Sequence, residues 1–212
     1  MFQIGNYGLV LKHTFKTGQT VAFLHGWSVL TSMNKVTGEE MQPYMQRIAS
    51  SIQHMVSCWT HPLLLPLILL EDHIHRVRDF KEYKLSRKTT DLEAHLGVTR
   101  TGHLAESGDA VGAQIRELMS NDDARLYFTT GLSSTITDTA TLLGVLRWDF
   151  RCCQFIRKTC GRVSGHAQNS KHSSRLLEEA IDTLECGIES VQEHTESLKE
   201  RLELQLTVVR LA

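Results

Sequence analysis

From Leu176 to Ala212, apolar residues recur at alternating steps of four and three: Leu177, Ile181, Leu184, Ile188, Val191, Thr195, Leu198, Leu202, Gln205 and Val209. Eight of the ten are aliphatic, so the pattern predicts an α-helix whose heptad seam lies against another helix. These eight are the candidate interface residues. No Gly, Asn or Pro follows the seam to stop the helix before Ala212, which reads as a stalk cut short.

The same period marks three more helices. Met41, Met45, Ile48, Ile52 and Met55 predict one from Tyr44 to about Trp59. Thr60-His61-Pro62 restarts the chain, with Thr60 or His61 as cap and Pro62 in the first turn, where its missing N–H costs nothing. The helix that follows runs to about Leu96 with Gly97 as C-cap, and Pro66 is close enough to its start to be tolerated. Leu132, Ile136, Thr139, Leu143, Leu146, Phe150, Cys153 and Ile156 predict a third long helix, from about Asp122 or Leu132 to Arg162. Residues 164–173 then form a polar connection, with Ser173 or Ser174 capping the last helix. A loop covers 98–112, and a brief helix covers 113–119.

Before residue 32 the pattern differs. Leu9-Val10-Leu11 and Val21-Ala22-Phe23-Leu24 flank Lys16-Thr17-Gly18-Gln19, which suits a short hairpin or a loosely packed leader. The chain therefore divides into residues 1–43, a leader or the remnant of a small α/β element, and a helical domain over 44–212. The fold class is mainly α: an antiparallel bundle of three long helices plus shorter ones.

Charge adds a pairing argument. Residues 147–175 hold seven Lys and Arg against Asp149 alone, whereas 176–203 hold nine Asp and Glu against Lys199 and Arg201. Complementary flanks favour pairing these two helices, within one chain or between chains, at under about 1 kcal/mol for each exposed pair. The net charge of −1 gives no general attraction to nucleic acid. The uncharged stretch from Ile48 to Leu70 carries Gln53, His54, His61 and three serines, so it falls short of the roughly 20 mostly apolar residues that a membrane span needs. Five cysteines with no zinc spacing, and no signal peptide, point to a reducing, cytoplasmic setting. Cys152 and Cys153 read as small buried apolar residues, and Trp59, Trp148 and Phe150 as core.

Asp72, His75 and Asp79 share one helix face and are the candidate metal ligands, set among Arg76, Arg78 and Lys81. No nucleophile elbow or phosphate-binding loop is present, which argues against an ordinary enzyme. The acidic face of the last helix would attract a divalent cation weakly.

Four segments in order, His61-Pro62-Leu63-Leu64-Leu65-Pro66-Leu67-Ile68-Leu69-Leu70-Glu71-Asp72-His73, Leu92-Glu93-Ala94-His95-Leu96-Gly97-Val98-Thr99, Leu146-Arg147-Trp148-Asp149 and Leu198-Lys199-Glu200-Arg201-Leu202-Glu203-Leu204-Gln205-Leu206, resemble the cytoplasmic region of fungal CorA-like magnesium transporters. The likeness covers about residues 44 to 209. It implies a last helix that serves as the stalk leading to a membrane helix, assembly into pentamers, and magnesium as the ion. The family's Gly-Met-Asn signature is absent here, so no conduction residue carries over. The resemblance implies a soluble assembly module, a homo-oligomer or a partner of full-length subunits, unable to conduct ions itself. The other readings are a metal-dependent enzyme built on Asp72, His75 and Asp79, and an inert truncated fragment.

Overall fold

A strand pair forms where the apolar runs predict it. In the computed structural model, which describes residues 2–4, 7–26, 44–59, 61–96, 120–164 and 171–211, β2 (Tyr7–Thr14) pairs antiparallel with β3 (Gln19–Gly26). The turn between them closes through Thr14 O, which accepts from Thr17 N at 3.1 Å and Gly18 N at 2.9 Å. Gly18 sits at φ 66°, a conformation that suits glycine. A third strand, β1 (Phe2–Ile4), pairs antiparallel with β2 and gives the order β1-β2-β3. Nothing in the sequence predicted it, because three residues carry no readable alternation.

The other described residues are mostly helical, so the fold is mainly α with a small antiparallel sheet. α1 (Tyr44–His54) ends five residues before the predicted Trp59 and gives way to a 3-10 turn at Val56–Cys58. Trp59 Nε1 donates to Ile52 O at 2.6 Å, satisfying a carbonyl at the helix end. Its ring is 55% exposed, so the core position predicted for it is not taken. α2 (Leu64–Asp79) starts two residues after Pro62, and His61 is its cap, its Nδ1 accepting from Leu63 N at 3.2 Å. A π turn at Phe80–Leu85 follows, then α3 (Ser86–His95). α4 (Asp122–Ser164) begins at the earlier of its two predicted starts. Asn121 Oδ1 accepts from Asp123 N at 3.0 Å, and Asp122 and Asp123 stabilise the positive end of the helix dipole. α5 (Lys171–Leu211) starts before Ser173 and Ser174, which are buried in its first turn instead of capping it. The loop at 98–112, the brief helix at 113–119 and the Gly97 cap lie outside the described residues.

The chain separates into two compact units. Unit 1 comprises 1–75 and 148–188, and its core includes Leu67 to Leu70, Ile156, Leu177 and Ile181. Within it α2 runs antiparallel to α4, since His73 meets Asp149 and His61 meets Cys160. α5 runs antiparallel to α4, with Arg157 Nη2 2.7 Å from Asp182 Oδ1 and 2.6 Å from Glu185 Oε2. Here the basic flank meets the acidic one.

Unit 2 comprises 76–147 and 189–212. Its core is built on Leu85, Leu92, Phe128, Leu132, Leu142, Leu146 and Leu202. Gly131 lets α3 approach α4 closely, because a Cβ there would lie 3.1 Å from Leu92 Cδ2. Gly144 is different: it is exposed in the middle of α4, and nothing lies within 4 Å of the place a Cβ would take. Gly144→Ala should therefore raise stability by about 1 kcal/mol through helix propensity alone, read as a higher melting temperature.

Candidate functional site

Every position of the heptad seam is turned inward. Leu177, Ile181, Ile188, Thr195, Leu202 and Val209 are at most 1% exposed, Val191, Leu198 and Gln205 are buried, and Leu184 is half-buried. The burial is within this chain, so the seam is satisfied by the protein's own helices, and contact with a partner has to use another face.

That other face lies in unit 2. Leu204 falls two residues past Leu202, about 200° around the helix, and Val208 lies one turn further along the same stripe. They are 70% and 50% exposed. Arg125 Nη2 donates to Arg210 O at 3.4 Å, which brings the start of α4 to the end of α5. Next to Arg125, Leu126 and Tyr127 are 67% and 63% exposed, while Phe128, in edge contact with the Tyr127 ring, turns into the core. Four large apolar side chains thus stand in solvent at one end of this unit.

The buried polar groups serve the core. In unit 1, His61 is 3% exposed; with Nδ1 accepting from Leu63 N, its Nε2 carries the proton and lies 3.3 Å from Ser174 Oγ and 3.8 Å from Cys160 Sγ. Burial, assisted by the charge of His13, lowers its pKa to about 4. Burial also raises the Cys160 thiol, so this histidine and cysteine are a neutral pair and not an activated nucleophile. Cys152 and Cys153 are pushed up to about 12, by burial first, with Asp149 adding to both and Glu185 to Cys153. They are packing residues, as their sequence context predicts. Asp149 itself is fully buried, with His73 Nε2 3.2 Å away but not aligned for a hydrogen bond. In unit 2, the buried Glu93 Oε1 accepts from Gln205 Nε2 at 2.7 Å and forms an ion pair with Arg201, whose Nε is 2.8 Å away.

The predicted metal ligands do not converge. His75 is largely exposed and 4.0 Å from Glu71, Asp79 is exposed, and Asp72 is half-buried. Among the described residues no three His, Cys, Asp or Glu side chains form a group that could hold a metal ion. Spacing on one helix face put these three in line, but a site also needs a facing element to supply ligands. Sequence reasoning missed the meeting of His61 with Ser174 and that of Glu93 with Gln205, which join residues 113 and 112 positions apart. The only local signal was the polar character of residues at apolar heptad spacing, Thr195 and Gln205 among them.

Among the described residues no helix is long and apolar enough to cross a membrane. No family model, curated protein or solved structure matches this chain.

Proposed function

We propose that this protein is a helical assembly module that acts by binding rather than catalysis, and that its partner is a second copy of the same chain. The observation that carries the reading is the exposed apolar end of unit 2, Leu204 and Val208 on α5 with Leu126 and Tyr127 on α4. Apolar side chains grouped at a surface favour association, because covering them removes them from water.

The occupant follows from charge. Glu203 and Arg210 are seven residues apart on one side of α5, and Leu204 and Val208 lie between them. An antiparallel copy sets Leu204 against Val208 and brings each Arg210 to the other chain's Glu203, which Lys199 holds at 3.1 Å without using all its lone pairs. The resemblance to CorA-like cytoplasmic regions supports the same reading, since that family works as an assembly. In that setting a divalent cation such as magnesium would be held by acidic side chains brought together by association, not by Asp72, His75 and Asp79.

Sedimentation of the full chain at tens of micromolar, with and without magnesium, tests the proposal. The expected result is a concentration-dependent dimer or larger species, converted to monomer by Leu204→Glu with Val208→Glu while the helical signal is unchanged. A wild-type monomer under both conditions would overturn it.

A further inference from the structure

Unit 2 contains a polar pocket of about 210 Å³ with Lys81, Ser86 and Thr90 on one side and His194, Ser197 and Arg201 on the other. The π turn is what brings the first three together. In a regular α-helix, residues five apart are about 140° apart around the axis, so Lys81 and Ser86 would face different ways. A π turn closes from i to i+5 and stacks them: Ser86 N and Ser86 Oγ both donate to Lys81 O, the latter at 3.2 Å. Thr90 follows one α-turn later, its Oγ1 donating to Ser86 O at 2.9 Å. On α5, His194, Ser197 and Arg201 are spaced three and four apart and share a face.

Three of the side chains around this space are uncommitted. The Lys81 ammonium, the His194 ring and the Ser197 hydroxyl have no side-chain partner among the described residues. Arg201 is ion-paired with Glu93, its Nε 2.8 Å from Glu93 Oε1, and its side chain is 43% exposed. Glu93 is 2% exposed behind that contact and does not line the pocket; no carboxylate does. Lys81, His194 and Ser197 thus line one small space together with Arg201, whose charge is paired with Glu93, in a chain whose net charge is negative.

We propose that this pocket binds a phosphoryl group, carried either by inorganic phosphate or by a small phosphomonoester. Its donors suit a tetrahedral oxyanion, whose several oxygens can each accept from a different side chain. No Phe, Tyr or Trp lines it, so it offers no broad stacking surface for a nucleotide base.

The test titrates the full chain with inorganic phosphate and, separately, with glycerol phosphate, at constant ionic strength against sodium chloride, by calorimetry and by the His194 ring resonances. Saturable binding with a shift at His194 is expected, and Lys81→Gln should weaken it about tenfold, the loss of one charged hydrogen bond. Lys81 and His194 are outside the proposed assembly surface, so this result is independent of the oligomeric state. Tighter binding of the monoester identifies the head of a small metabolite as ligand, and equal binding identifies phosphate itself. His194→Asn, with its melting temperature checked against wild type, is the second variant should Lys81→Gln fold poorly. Absence of saturable binding beyond the chloride control, or binding unchanged in a folded variant, would overturn the proposal.

Discussion

Leu202→Ala will lower the unfolding free energy by about 3 kcal/mol, whereas Leu204→Ala in the monomer will change it by less than about 0.5 kcal/mol. The two residues are the same type, two positions apart on one helix. Leu202 is 0% exposed in the core of unit 2, so truncation loses the transfer energy of three carbons and leaves a cavity that the helices close only in part. Leu204 is 70% exposed and loses little. Urea denaturation of both variants at low protein concentration measures the contrast. Equal losses would mean that the seam does not face the core as described. The converse contrast holds in assembly, where Leu204 matters and Leu202 acts only through the fold.

Acidification from pH 7 to pH 5 will destabilise the protein by about 2 kcal/mol through His61 alone. Burial and the charge of His13 lower its native pKa from 6.5 to about 4. As pH falls, the unfolded chain takes up the proton first. The stability is therefore complete above about pH 6.5 and is lost progressively down to about pH 4. The geometry gives the reason: Nδ1 accepts from Leu63 N, so a proton placed there would set one donor against another inside the core. His61→Gln should remove this part of the pH dependence, measured by denaturant unfolding at the two pH values, and the His61 ring should titrate near 4 by NMR. A ring that titrates near 6.5 in the folded protein would refute the assignment.

The helices were legible because amphipathic periodicity is a local property. Leu177 to Val209 mark the buried stripe of α5, with Leu184 half-buried and the polar Thr195 and Gln205 inside it, and Leu132 to Ile156 mark that of α4 except at Ile136 and Phe150, which are half-buried while Thr135 and Asp149 beside them are buried. The hairpin was legible through its turn residues. β1 was not, because three residues bear no pattern, and neither was the π turn at Phe80–Leu85, which has no sequence signature that separates it from an ordinary helix. The candidate site was less legible than the fold. Asp72, His75 and Asp79 drew attention through spacing on one helix, while the polar groups that do meet, such as His61 with Ser174 and Glu93 with Gln205, are more than a hundred positions apart.

By itself the sequence determined where helices form, which stripe of each is apolar and where the chain reverses, since these depend on neighbours within a turn or two. Only the tertiary structure decided what covers each stripe. A heptad seam states that a helix needs a partner and not which one, because burial in the same chain and burial against another copy remove the same apolar area from water. Here the chain's own helices cover the seam of α5, and this leaves Leu204 and Val208 outside and brings Lys81 and Arg201 to one pocket.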